Sequence, residues 1–240
     1  MGKKIAVLAV QGAFIEHERA LAKLGCECIE LRQGPDVEQP YDALVLPGGE
    51  STAQAKMLRE LGMLDTLKSR VAVGLPVLGT CAGLILLAQN VEEGVPAAGD
   101  PNGPVAAGAT APGAIGTLPV TVRRNAYGRQ LGSFVATADF GASDDADAVV
   151  VASGESVSSA ISAAAGEEGA SEASDMSVVL KDFPLVFIRG PFVAEVGERT
   201  TVETSVDGNV VGLRQGKILA TAFHPELTDD TRIHELFLSL

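Results

Sequence analysis

Residues 76–89 read "PVLGTCAGLILLAQ". An apolar run ends at Gly79-Thr80, a lone cysteine follows, and a second apolar run begins at once. The first run, "LPVLGT", predicts a short buried strand, and the second, "AGLILLAQNV", predicts a helix over 82–91. A strand that hands over to a helix through a tight, glycine-flanked bend is a unit of parallel α/β sheets.

The same alternation extends toward the N-terminus. "KIAVLAV" (4–10) is apolar without polar alternation, which predicts a strand buried on both faces. "AFIEHERALAKLG" (13–25) has helical spacing through Phe14, Leu21 and Leu24, with Gly25 as a stop. "CECIELR" (26–32) alternates like a strand, and "YDALVLPGG" (41–49) is a strand that ends in a glycine turn. Residues 51–74 predict one or two helices, the first capped by Ser51 or Thr52. This order predicts one three-layer α/β/α domain over 1–240 with a mostly parallel central sheet. Ligands of such sheets bind at the carboxyl ends of the strands. The informative turns are therefore Gln11-Gly12, Pro47-Gly48-Gly49-Glu50 and Gly79-Thr80-Cys81.

The pattern weakens in two places. Residues 92–117 are rich in Gly, Ala and Pro and are expected to be loop. Residues 141–177 hold Ala, Ser, Gly and acid, with no lysine, arginine or aromatic residue, so little apolar surface is available to bury. A mobile loop with a short helix near "VSSAISAAA" is expected there. Between them, "LPVTVRRNAYGRQLGSFVATADF" (118–140) predicts two strands around a turn near Asn125 and Gly128. "DGN" at 207–209 is a hairpin signal, and "TRIHELFLSL" predicts a final helix.

The totals narrow the function classes. The 240 residues are 46% apolar, yet no apolar run approaches the roughly 18 residues of a membrane span. The apolar part of the N-terminus is short and interrupted by Gln11, which favours a first strand over a leader. Three cysteines without a disulfide pattern point to a reducing cytoplasm. A net charge of −13 repels nucleic acid and anionic membranes, so neither is expected as a partner. The same balance suits a high-salt cytoplasm and an ordinary acidic protein equally.

At the bend, the side chain of Cys81 projects from the top of the sheet above a helix N-terminus. That arrangement favours a thiolate and supplies free amides for an oxyanion. A buried cysteine that packs as a small hydrophobe is the alternative. A cysteine nucleophile needs a base and a group to orient that base. His17 and His234 lie in helical patterns and read as helix-face residues. His224 follows the strand "KILATAF" in "TAFHPEL", with Glu226 two residues on. Cys81, His224 and Glu226 thus form a coherent set, although His224 and Glu226 also fit a solvated turn. Cys26 and Cys28 share one strand face, but further ligands for a metal are lacking.

Together, "GTCAGLILLA" and "FHPEL" resemble a class I (triad) glutamine amidotransferase, a flavodoxin-like fold. "AVQGAFIEH", "LVLPGGEST", "RRNAYGRQ", "VFIRGP" and "FHPELTDD" resemble, in order, the motifs of glutaminase subunits of pyridoxal 5'-phosphate synthase. The resemblance implies hydrolysis of L-glutamine to glutamate and ammonia, with Cys81 as nucleophile, His224 as proton carrier and Glu226 orienting it. It implies that Gly48, Gly49, Glu50, Arg124, Ile188 and Arg189 bind L-glutamine. The Gly49 and Ala82 amides would form the oxyanion hole, with Gln11 close by. The implied partner is the synthase subunit, in a heteromeric complex, and no metal or organic cofactor is implied. Either Arg123 or Arg124 is also readable as a surface charge, and Glu50 as a helix cap. Gly190 stands where the family usually has alanine, and 92–117 and 141–177 look longer than the family norm. Alternatives are a glutaminase for another synthase, such as that of histidine biosynthesis, a non-catalytic module of the same fold, and a hydrolase of other amides or esters.

Overall fold

The structure is a computed structural model that describes residues 2–96, 105–124, 133–141, 149–165 and 178–240. Its first third runs β1 (Lys4–Leu8), α1 (Phe14–Lys23), β2 (Glu27–Leu31), β3 (Ala43–Leu46), α2 (Ser51–Glu60), α3 (Leu64–Ala72), β4 (Val77–Thr80) and α4 (Ala82–Leu87). The middle comprises β5 (Ala88–Pro96), β6 (Val105–Pro112), β7 (Leu118–Arg124), β8 (Ser133–Phe140), β9 (Val149–Val151) and α5 (Val157–Ala165). The rest comprises β10 (Val178–Ile188), β11 (Phe192–Val196), β12 (Thr201–Val206), β13 (Asn209–Gln215), β14 (Ile218–Thr221) and α6 (Arg232–Leu238).

The strands β2-β1-β3-β4-β14 lie side by side, all parallel. Every residue of β3, β4 and β14 is buried. Successive side chains of a strand point to opposite faces, so both faces of this sheet are covered. Gly79 marks one face: a Cβ there would lie 2.6 Å from Leu87 of α4. Thr80 marks the other, where its hydroxyl meets His17 of α1. The three-layer arrangement and the mostly parallel central sheet are as expected. Beyond β14 the sheet continues through β13, β11, β7, β5 and β6, with antiparallel pairs except β7 with β5.

A second, three-stranded sheet has the order β8-β10-β9. It is joined to the first by aromatic packing. Phe223, just after β14, meets the rings of Phe140, Phe183 and Phe187, all buried. Arg232 of α6 is also buried and donates to the carbonyls of Val151 and Lys181, which ties β9 and β10 to the helix layer.

Several local expectations are corrected. The helix expected over 82–91 ends at Leu87, and Ala88 opens β5. Its residues are good helix formers, but pairing with β7 and β6 outweighs that weak propensity. The expected loop 92–117 contains most of β5 and all of β6, because a backbone ladder needs no large side chains. Residues 97–104 of it lie outside the described residues. The two strands expected over 118–140 exist as β7 and β8, but they belong to different sheets and do not pair. The turn expected near Asn125 and Gly128 lies outside the described residues. Within 141–177 the short helix is α5, and β9 pairs with β10 where loop was expected. Residues 142–148 and 166–177 lie outside the described residues. Residues 51–72 form two helices, and Glu50, rather than Ser51 or Thr52, caps the first by accepting from the Thr52 and Ala53 amides.

Candidate active site

At the carboxyl ends of the central strands a cleft of about 500 Å³ opens. Cys81 stands on its floor, between β4 and α4. Its backbone has φ +50° and ψ −98°, and its N–H donates to the Thr221 carbonyl at 2.7 Å. A non-glycine residue in this region is strained by about 1–3 kcal/mol and persists only where its surroundings hold it. Gly83 makes the bend possible, since a Cβ there would lie 2.0 Å from the Leu46 carbonyl oxygen.

β14 is the parallel neighbour of β4, so the residues after it arrive beside Cys81. His224 is held at its backbone by an N–H bond to the Val186 carbonyl of β10, 2.8 Å. Its Nδ1 lies 2.7 Å from Glu226 Oε1, and the ring also hydrogen-bonds to Cys81. Burial opposes charge on the imidazole, but the bonds to Cys81 and Glu226 prevail and raise its pKa to about 10. A protonated imidazole beside the sulfur is the partner that a thiolate needs. The Glu226 side chain is fully buried. Burial favours its neutral form, yet His17 and His224 hold the carboxyl below the usual range.

The glycine turn after β3 is packed against this pair. A Cβ on Gly48 would lie 2.2 Å from His224 Cε1, and one on Gly49 would lie 2.5 Å from Gln11 Oε1. The Gly48 N–H donates to Thr80 Oγ1 and its carbonyl accepts from Ala13 N–H. The Gly49 N–H has no partner among the described residues. The Ala82 N–H, at the first position of α4, has none within the helix. Ala82 is buried and does not line the cleft. Gln11 accepts the Glu50 N–H through Oε1, and Gln54 donates to the Gln11 and Pro47 carbonyls, so this loop is pinned from two sides.

Arg124 lines the cleft and Arg123 does not. Arg123 donates to Glu92 and lies over the Phe192 ring. Arg124 donates to Glu50 Oε1 at 3.1 Å, Glu93 Oε1 at 2.8 Å and Thr52 Oγ1 at 3.0 Å. The Glu50 carboxyl is lowered from its ordinary pKa: burial opposes this, but the Thr52 and Ala53 amides and Arg124 outweigh it. Opposite, Ile188 and Arg189 reach the cleft at the end of β10, with Arg189 at φ +48°.

A model of the SNO glutamine amidotransferase family matches residues 7–165 and 163–240. The chain belongs to the SNO glutamine amidotransferase family. It is 57% identical to the pyridoxal 5'-phosphate synthase subunit PdxT of Bifidobacterium adolescentis, over 98% of this chain and 99% of that one. It is 50% identical to the subunit of the same name from Bifidobacterium longum, over 98% of each. A solved structure described as a glutamine amidotransferase is 36% identical, with TM-score 0.68, over 98% of this chain and 96% of that one.

In this SNO-family chain, sequence reading missed the residues behind the site. His17 and His234 were expected on helix faces, yet both are fully buried and face each other, His17 Nδ1 to His234 Nε2 at 3.0 Å. The signal was present: His17 shares its spacing with Phe14 and Leu21, and His234 lies between Ile233 and Leu236, so both fall on apolar stripes. Thr80, which bridges His17 and the Gly48 amide, had only its place beside Cys81 to mark it. Glu93 had no signal, because its segment read as loop. Cys26 and Cys28 are free and partly buried. No helix among the described residues is long and apolar enough to cross a membrane.

Proposed function

We propose that this chain is a glutaminase that hydrolyses L-glutamine through Cys81, His224 and Glu226, working as one domain in the cytoplasm. The Cys81 thiolate attacks the side-chain carboxamide carbon. The resulting oxyanion is held by the Gly49 and Ala82 amides. The protonated His224 gives its proton to the departing nitrogen, so ammonia leaves and a γ-glutamyl thioester remains. Neutral His224 then takes a proton from water, which attacks the thioester, and glutamate departs as the thiolate is restored. Glu226 keeps the imidazole oriented throughout.

Arg124 suits the α-carboxylate of glutamine and Glu50 suits its ammonium, with Ile188 and Arg189 closing the far wall. Gln11 holds the Glu50 amide and so the shape of the glycine turn. The ammonia passes to the synthase subunit of a pyridoxal 5'-phosphate synthase. The name of the curated relatives, subunits of that synthase, supports this partner. No organic cofactor is called for.

The observation that carries the reading is the strained Cys81 bend and His224 in one cleft, with the buried Glu226 carboxylate bonded to His224 behind it. The test is glutamate release from glutamine by the wild-type chain and Cys81→Ala, each with and without the synthase subunit. Release that depends on Cys81 is the expected result. Undiminished release by Cys81→Ala would sink the assignment.

A further inference from the structure

We propose that His17 is a positioning residue for the hydrolysis: it holds the second carboxylate oxygen of Glu226 and links it, through Thr80, to the glycine turn of the oxyanion hole. This inference rests on the triad reading above and extends it by one layer.

Glu226 uses Oε1 for His224. Its Oε2 is buried, has no hydrogen-bond partner among the described residues, and lies 3.4 Å from His17 Nε2, the ring nitrogen that faces it. The same Nε2 lies 3.1 Å from Thr80 Oγ1, which in turn accepts the Gly48 N–H at 3.0 Å. His17 Nδ1 faces His234 Nε2 at 3.0 Å. The charged and titratable groups around the His17 ring are therefore Glu226 and His224 from the segment after β14, His234 from α6, and Glu16 from its own helix.

Two proton arrangements are open to the buried histidine pair. With the proton on His17 Nδ1, a bare nitrogen lone pair would face the Glu226 carboxylate, and two negative ends would meet in a dry interior. With the proton on His17 Nε2, an N–H faces both Thr80 and Glu226, and His17 Nδ1 accepts from the His234 Nε2–H. The second arrangement puts one N–H toward both oxygens, Thr80 Oγ1 and the otherwise unpartnered Glu226 Oε2, and gives the His17–His234 contact its hydrogen, with His234 Nδ1 left unpartnered. Burial lowers the pKa of both rings, that of His234 to about 3, so both are neutral and a fixed tautomer is meaningful. His17 thus gives Glu226 a hydrogen where water cannot reach. The same nitrogen fixes the Thr80 hydroxyl that anchors Gly48, so carboxylate and oxyanion turn are set by one ring.

The experiment compares wild type, His17→Gln and His17→Leu, assayed for glutamate release with the synthase subunit across pH. It also measures the pH dependence of Cys81 alkylation by iodoacetamide. Glutamine can place an amide N–H near the position of Nε2; leucine cannot. His17→Gln should stay within about threefold of wild-type kcat. His17→Leu should lose on the order of tenfold or more in kcat with little change in KM. Its acid limb should move to higher pH, because Glu226 becomes easier to protonate. A His17→Leu enzyme with wild-type kcat and pH profile, or one altered in KM alone, overturns the proposal.

Nitrogen-15 spectra of the wild-type histidines provide a readout that survives even if the leucine variant fails to fold. An N–H at His17 Nε2 is expected, and an N–H at Nδ1 overturns the proposal. Undiminished turnover by Cys81→Ala, by contrast, would strike the triad reading itself and leave the tautomer measurement standing.

Discussion

Single atoms decide whether this site works. Gly48 is the sharpest case, because any Cβ there meets the His224 ring at 2.2 Å. Gly48→Ala should therefore push the imidazole off Glu226 and lower kcat by on the order of 10²-fold, with a far-ultraviolet spectrum like that of wild type. A variant with normal kcat would show that the ring has room to move. Arg124 lines the same cleft and is the residue proposed for binding. Arg124→Ala removes the charge expected to meet the α-carboxylate and should raise KM for glutamine about tenfold or more, with a smaller effect on kcat. Initial-rate kinetics separate the two. Much of this was legible in the sequence. Cys81 sits at a strand–helix junction and His224 at a strand end, and local pattern marks both. The buried His17–His234 pair was not legible, since spacing puts a histidine on an apolar stripe without saying what it faces there.

At the level of elements, two contacts hold the catalytic segments in place. Gly83 lets α4 lie against the end of β3, and a Cβ would come within 2.0 Å of a backbone oxygen that cannot step aside. Gly83→Ala should destabilise the fold by about 1–3 kcal/mol, read by chemical denaturation. Phe223 fills the space between the two sheets and immediately precedes His224. Phe223→Ala should cost about 3–5 kcal/mol, or very roughly 6–20 °C in Tm for a chain of this size, and should depress kcat through the loosened histidine. A calorimetric midpoint within a degree of wild type would contradict it. The strands buried on both faces were legible because their apolar runs lack alternation. The swap at Ala88 from helix to strand, and the Ala- and Gly-rich β6, were not. Their structure comes from partners distant in sequence, which override weak local propensity.

For the whole molecule, the buried neutral histidines set an acid limit. His17 and His234 have pKa values lowered in the folded state, so the unfolded chain binds more protons than the folded one once pH falls below about 6.5. Stability from these groups is therefore present above pH 6.5 and is lost as pH falls toward about 3, the pKa of His234. Each group contributes a slope of at most about 1.4 kcal/mol per pH unit. Denaturation midpoints should drop over this window, and His234→Asn should flatten the drop if it folds. An equally steep drop in that variant would assign the acid sensitivity elsewhere. The layered architecture was legible from alternation alone, whereas the second sheet was not, because β8 and β10 find each other across a long separation. The place of β14 carries a consequence for how the protein is made. It is synthesised late yet inserts between β4 and β13, beside the early-made strand that leads into Cys81. On the triad reading, a nascent chain on the ribosome holds Cys81 long before His224 is made, and translation products truncated ahead of β14 should be unable to consume glutamine.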